Sequence, residues 1–347
     1  MAEQRVTIRD IAKIAGLHFT TVSLALRNSP RLNDATRSKI QKLAKKMGYR
    51  PDPMLASLNA YRQSKSQPHY QATIAWINNW PERYHMLSNA EFLEYYQGAK
   101  ERSEERGYVL EEFWLREPGM NVEKINRIFK ARNIQGMLIA PQPESQTILP
   151  FDYEELSTVA LGYSMRPASL HVVTNHHFHS MNLIFTRLRD LGYKRAGLCV
   201  GLNWDEKVEN GMLGGWELWN WKNPNQIEIS HFTDAFKNNR ERVEKWIKKE
   251  KPEVIVATDD SAELLMSWGY KFPGDMGYAS LALKHDEKYF SGIYQNDILI
   301  GKKAIDLVIG MIQRGERGLP ETPIRTLIES EWHSGKTLRQ QKVSSMD

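Results

Sequence analysis

Residues 6–52 read VTIRDIAKIAGLHFTTVSLALRNSPRLNDATRSKIQKLAKKMGYRPD, and the spacing of their apolar residues decides the architecture of this end of the chain. In TIRDIAKIA (7–15), Ile8, Ile11, Ala12 and Ala15 recur at helical spacing. Thr7 stands where a side-chain oxygen caps the first turn, and Gly16 supplies the stop. A second short helix follows in HFTTVSLAL, with Val22 and Leu26 on one face and Asn28 just beyond it as a left-handed cap. Asn33 opens a third, DATRSKIQKLAKKMG, whose Ile40, Leu43, Ala44 and Met47 make an apolar stripe that Gly48 ends. Three short helices, the first two joined by a tight Gly turn, make a helix-turn-helix.

Charge separates this head from the rest. The 347 residues carry a formal net charge of +5, but residues 1–66 hold 13 Lys+Arg against 4 Asp+Glu, whereas the other 281 hold 34 against 38. A basic head on a mildly acidic body points to a polyanion partner for the head alone. The single cysteine, Cys199, excludes an internal disulfide and a thiolate zinc cluster, and places the chain in a reducing compartment. No signal peptide and no long apolar run occurs, so the expectation is a cytoplasmic protein with no membrane partner.

The head closely resembles the DNA-binding domain of the LacI/GalR family of transcriptional regulators, through its helix spacing, the TVS of its second helix, the TR opening its third and its GYxP exit. In such a motif the second helix lies in the major groove of double-stranded DNA. The resemblance puts Phe19, Thr20 and Leu24 at the base-reading positions. It puts Thr7, Thr21, Ser23, Arg27, Asn33, Thr36 and Tyr49 at the phosphate-contacting ones, which fix register without reading sequence. Two positions depart from the family: Leu24 stands where arginine is common, and His18 where a serine usually caps. Readout then leans on thymine methyls and on Thr20; the alternative for Phe19 and Leu24 is core packing, although Val22 and Leu26 already fill that face.

Residues 51–69 resemble the family's hinge helix and linker. Leu58 matches the leucine pushed into the minor groove, flanked by Leu55, Ala56 and Asn59. Asn59 stands where the family prefers a small residue, and an ordinary linker is the alternative.

From Ala72 the pattern alternates strand and helix: ATIAWINN, EFLEYYQGAKERSEERGY, VLEEFWL, VEKINRIFKARN, GMLIAPQ, STVALGY, HSMNLIFTRLRDLG, RAGLCVG, GGWELWNWK, RERVEKWIKKE, EVIVATDD and IGKKAIDLVIGMIQRG. Such alternation predicts an α/β fold of doubly wound parallel sheets. The resemblance implies two periplasmic-binding-protein-like subdomains, about 70–191 with 296–325 and about 192–295 with 326–338, preceded by a DNA-binding domain at 1–50 and followed by a tail at 339–347.

Ligands of such sheets bind beyond the strands' carboxyl ends. Carried over residue by residue, the family's effector-binding positions fall on Asn175, Met212, Thr258 beside the retained Asp259, Ala282 and Gln295; at Asn175, Met212 and Ala282 a charge has been lost. Asn79 and Trp80 after the first strand, and Trp204, join the candidate set as ring-stacking or polar neighbours, against the alternative that the tryptophans are core residues in a chain with ten of them. Either the ligand is not a simple sugar or the pocket has drifted.

Catalytic constellations are lacking: no GxSxG, GxxxxGK[ST] or GxGxxG occurs, and Asp259-Asp260 sit side by side at a strand end, where neighbouring side chains diverge. Asn175-His176-His177-Phe178-His179 is the one dense set of metal-ligand types, and without a second set it reads as pocket-lining or surface, with no metal and no cofactor. The expectation is a homodimeric, sequence-specific regulator, a repressor by type, bound to a pseudo-palindromic operator and controlled by a small-molecule effector. The competing readings are control of the body by a protein partner, and a DNA-tethered sugar-active enzyme.

Overall fold

The computed structural model describes residues 6–26, 32–49, 72–166 and 169–341. Asn28, the phosphate-contact candidate Arg27 and the hinge candidates Leu55, Leu58 and Asn59 lie outside these residues.

The head contains α1 (Ile8–Ala15), α2 (Phe19–Leu26) and α3 (Asp34–Lys46). The Thr7 hydroxyl accepts the Asp10 N–H while the Asp10 carboxylate accepts the Thr7 N–H, a reciprocal capping box. Gly16 ends α1 with φ +65°, the left-handed geometry that an L side chain resists. Asn33 caps α3 by accepting the Thr36 N–H at 2.8 Å. Ile11, Ala12, Val22, Ala25, Ile40 and Ala44 form the small core, with Leu26, Leu43, Met47 and Tyr49 packed around it. The buried pair on α2 is therefore Val22 and Ala25, with Leu26 only partly covered.

The body is two parallel-rich sheets of six strands. The first orders its strands β11-β5-β4-β3-β1-β2, from β1 (Ala72–Asn78), β2 (Tyr108–Trp114), β3 (Gly136–Ile139), β4 (Ser157–Leu161), β5 (His171–Asn175) and β11 (Arg325–Ile328). The second orders them β12-β10-β9-β8-β6-β7, from β6 (Arg195–Cys199), β7 (Glu228–Phe232), β8 (Val254–Ala257), β9 (Gly277–Leu283), β10 (Ser291–Tyr294) and an antiparallel β12 (Glu331–His333). Both carry the 2-1-3-4-5 order of doubly wound folds, with helices on each face. Central strands are covered on both sides: Ile74, Ala75, Trp76 and Ile77 are all fully buried.

Helices Ala90–Glu105 and Asp297–Arg314 pack together on one face of the first sheet. They meet backbone to backbone, since a methyl on Gly98 would overlap the Ile298 carbonyl and one on Gly301 the Tyr95 carbonyl. Helix Val122–Arg132 covers the other face. The second sheet is sandwiched between helices His177–Asp190 and Gly211–Lys222 on one side and Arg240–Glu250 and Asp259–Ser267 on the other.

This division corrects the expected subdomain limits. Helix 177–190, read as the end of the first subdomain, puts Met181, Ile184, Phe185 and Leu188 into the core of the second. The last boundary falls after β11 rather than at 326, because residues 325–328 pair with β5 of the first sheet. The chain thus crosses between subdomains at 175–176, 295–296 and 329–330. Cys199 is buried, as its apolar strand implies, and burial drives its thiol well above the usual range. No helix among the described residues is long and apolar enough to cross a membrane.

Candidate functional site

On the head, α2 turns one face inward and leaves the other open. Val22 and Ala25 are fully buried, whereas Phe19 is 46% exposed and Leu24, half-buried, takes no part in the head core. An aromatic ring this exposed at the first position of a helix contributes little to folding and is left available for contact. The His18 Nδ1 lies 2.8 Å from the Thr20 hydroxyl and 3.5 Å from its N–H, so the imidazole takes the place of the serine cap, tying the Thr20 hydroxyl to it. His18 also lies against Phe19, with ring centroids 4.4 Å apart, which limits where the phenyl ring points.

Thr7 and Asn33 sit at the N-termini of α1 and α3, where unpaired N–H groups and the helix dipole favour a phosphate. Thr21, Ser23 and Thr36 are half-exposed, and Tyr49 packs its ring on the head core while its backbone N–H closes on the Ala44 carbonyl. The Gln41 amide donates to the Ala25 carbonyl at 3.0 Å, fastening α3 to the end of α2.

In the body, Asn79, Trp80, Asn175, Thr258, Ala282 and Gln295 fall at or just beside carboxyl ends of strands, whereas Trp204 and Met212 lie in helices 202–206 and 211–222; they divide sharply by what holds them. Asn79, buried after β1, donates to the Gln142 carbonyl oxygen of its side chain at 3.0 Å, and the Gln142 N–H in turn reaches the Ser164 hydroxyl. Gln142 and Ser164, at the ends of β3 and β4, are thus part of the same polar floor; sequence reasoning missed them, although their place just after two strand runs was a usable signal. Trp80 is half-buried; its indole N–H is spent on the Pro141 carbonyl at 2.8 Å and its ring lies among His85 and Phe92.

Asn175 is not a free pocket lining. Its amide nitrogen lies 3.2 Å from the Gln295 carbonyl, 3.1 Å from that of Ile328 and 2.7 Å from the Ser330 hydroxyl, and its oxygen accepts the Ser180 hydroxyl at 2.9 Å. One side chain therefore joins all three crossovers. Gln295, also buried, donates from its amide to the Leu281 carbonyl, beside Ala282. Ala282 lies in β9 with 8% exposure, and its N–H reaches the Ser280 hydroxyl. Thr258 precedes the helix that Asp259 opens, and its carbonyl accepts the Tyr278 hydroxyl.

Met212 is corrected from ligand contact to core. It is fully buried among the apolar residues of the second subdomain. The buried Asp205 carboxylate accepts its N–H at 3.0 Å and that of Leu213, capping the start of helix 211–222, and burial raises the Asp205 carboxyl despite these bonds. Trp204 is half-covered by the same core.

The lips of the crevice touch. Glu206 accepts the Ser145 hydroxyl at 3.0 Å and the Gln146 amide, bonds that lower its carboxyl. The Lys207 ammonium donates to the Pro143 carbonyl and the Tyr163 N–H to the Lys207 carbonyl. On the first-subdomain helix 90–105, the Glu94 carboxylate accepts the His285 N–H of the second subdomain at 2.8 Å; burial raises Glu94 all the same.

Residues 7–52 match the model of the bacterial regulatory proteins of the lacI family. "Probable HTH-type transcriptional repressor ExuR" of Bacillus subtilis is 49% identical over 53 residues, 15% of this chain and 16% of that protein. "HTH-type transcriptional regulator DegA" of the same organism is 28% identical over 141 residues, 41% of this chain and 38% of that protein. The matches thus span well under half of either relative's length. In fold, the chain is similar to a transcriptional regulator CelR in complex with cellobiose, with TM-score 0.55 and 16% identity over 96% of this chain and all of that one. It is similar also to the lac repressor dimer bound to operator and an anti-inducer, with TM-score 0.54 and 17% identity over 96% and 99%. The head, residues 7–52, is thus of the lacI-family type, and the fold of the chain, an all-α helix-turn-helix domain joined to two doubly wound parallel-sheet subdomains, is similar to that of these solved regulators.

Proposed function

We propose that the protein is a sequence-specific, homodimeric DNA-binding repressor whose α2 reads the major groove through Phe19, Thr20 and Leu24, and whose affinity is set by a small molecule held in the crevice between the subdomains. The observation that carries this reading is the two-sided α2: Val22 and Ala25 are sealed in the head core while Phe19 stands 46% exposed beside them. Exposed Thr7 and Asn33 at helix N-termini supply the flanking phosphate contacts. Arg27 and the hinge residues Leu55, Leu58 and Asn59 complete the DNA surface in this proposal. Two heads on a pseudo-palindrome supply the affinity that one cannot.

The crevice reading rests on the buried polar floor of Asn79, Gln142 and Ser164, which offers hydrogen-bonding groups at strand ends where doubly wound sheets bind ligands. Two relatives in fold were solved with cellobiose and ribose, respectively, and a carbohydrate-derived effector is the class proposed here.

Selection of the intact protein on random duplexes tests the first part. Enrichment of a pseudo-palindromic sequence, bound with an affinity that falls steeply with salt, is expected; equal affinity for all duplexes overturns it. A screen of sugars and sugar acids for a shift in affinity for the selected duplex tests the second.

A further inference from the structure

We propose that His176, His179 and Glu329 form a binding site for a transition-metal dication of the zinc class, clasping the first crossover to the third. The two histidines stand at the start and in the first turn of helix 177–190, and Glu329 on the segment between β11 and β12. His176 Nδ1 is 2.8 Å from one Glu329 oxygen and His179 Nε2 is 3.2 Å from the other. One ligand atom from each residue lies within 4.8 Å of those of the other two.

Around a tetrahedral zinc with bonds of roughly 2.0–2.1 Å, donor atoms stand about 3.3 Å apart. The two imidazole–carboxylate contacts are close to this separation, and with one donor atom from each residue within 4.8 Å of the others, side-chain rotation can bring all three onto one ion. Two imidazoles and one carboxylate are a donor set that suits zinc, leaving a fourth position for water.

The backbone under the donors is fixed before any ion arrives. The His176 N–H bonds the Ile328 carbonyl at 2.9 Å, next to Glu329, and the Asn296 side chain donates to the Glu329 carbonyl at 2.8 Å. Asn296 belongs to the second crossover, so every connecting strand contributes to the site. All three donors are reachable from solvent, with side-chain exposures of 32%, 45% and 61%. His177, between the two histidines in sequence, is buried and is not a ligand. From sequence the histidines alone were visible; the carboxylate that completes the set comes from 150 residues further on.

The test is calorimetric titration of the full-length protein, stripped with EDTA, with ZnCl2, alongside His179→Gln and Glu329→Gln, and with His85→Gln as a control outside the trio. One zinc per chain is expected, with affinity at least about tenfold weaker in each of the first two variants and unchanged in the control. Cobalt(II) in place of zinc should give the intense visible absorption of a four-coordinate ion, lost in both variants. No zinc uptake, or uptake that both variants leave unaltered, overturns the proposal and reduces the trio to a hydrogen-bonded His–Glu contact.

Discussion

Replacing Asn175 by Ala removes the one side chain shared by the three crossovers. Its amide has two hydrogens for three acceptors, the carbonyls of Gln295 and Ile328 and the Ser330 hydroxyl, and its oxygen takes one more bond from Ser180. About three hydrogen bonds are therefore lost. Some partners recover: the Ser180 and Ser330 hydroxyls stand 2.7 Å apart and satisfy each other, and the Ile328 carbonyl keeps the His176 N–H. The Gln295 carbonyl loses its amide donor inside the protein. At about 1 kcal/mol per net bond and 1–3 kcal/mol for a stranded buried carbonyl, the loss is roughly 3–5 kcal/mol. For a body of about 270 residues, with an unfolding entropy near 2.1 cal/mol/K per residue, that lowers Tm by roughly 7 °C. Scanning calorimetry of the full-length variant measures it. Asn182→Ala, on the same helix but bonded only to the nearby Phe178 carbonyl, is the comparison, expected to shift Tm by no more than about 1 °C. An Asn175→Ala shift no larger than that of Asn182→Ala would refute the crossover node.

Phe19→Ala should leave the head's stability within about 0.5 kcal/mol, because the ring is exposed, yet weaken binding to the selected duplex by roughly tenfold or more; equal weakening on unrelated DNA, read by fluorescence anisotropy, would show that Phe19 does not read bases. Gly98→Ala and Gly301→Ala should each cost at least about 2 kcal/mol by forcing apart helices 90–105 and 297–314. The double variant should cost less than their sum, since one separation relieves both overlaps; additive losses in urea unfolding would contradict a shared contact. His177 is held neutral by burial, its pKa pushed down to about 3. The unfolded chain takes up that proton near pH 6.5 and the folded one does not, so this contribution is intact above about pH 6.5 and is lost as pH falls towards 3. His177→Leu should therefore lose roughly 2–3 kcal/mol less than the parent between pH 6.5 and 4.5; parallel pH profiles would show that the imidazole is protonated in the folded state.

The head was legible residue by residue because its determinants are local: Thr7 caps residues three positions away, Gly16 and Asn33 act within one turn, and the stripe of Ile40 and Ala44 lies on one helix. The body's alternation foretold its sheets, but not the partition between them. Nothing within residues 177–190 says which sheet their apolar face meets. The strands 277–283 and 291–294 are buried at every position, so they carry no period-two signal to find. The site suffered for the same reason. Asn175 and Met212 were aligned to ligand-binding positions, and what decides their roles lies far along the chain: residues 295, 328 and 330 for the one, the packed core of the second sheet for the other.

Those long-range partners bear directly on how a ligand would be sensed. Two of the strand ends at the crevice, those of Asn175 and Gln295, are also points where the chain crosses between subdomains. A rotation of one subdomain against the other must strain or exchange the bonds converging on Asn175, along with the lip contacts of Glu206 and Lys207 with the segment 143–146. Each net bond is worth about 1 kcal/mol, so rearranging two or three of them falls in the range of about 1–3 kcal/mol typical of coupling between two sites. In the function proposed above, a ligand that replaces even a few of these contacts has enough differential affinity to shift the balance between two arrangements of the subdomains. The loss of charge at Asn175 fits this arrangement. A carboxylate in the same place would face the Gln295 and Ile328 carbonyls with no proton to offer, whereas the amide donates to them. Asparagine there holds the crossovers together, and in the function proposed above the polar groups left for an effector are those of Asn79, Gln142 and Ser164.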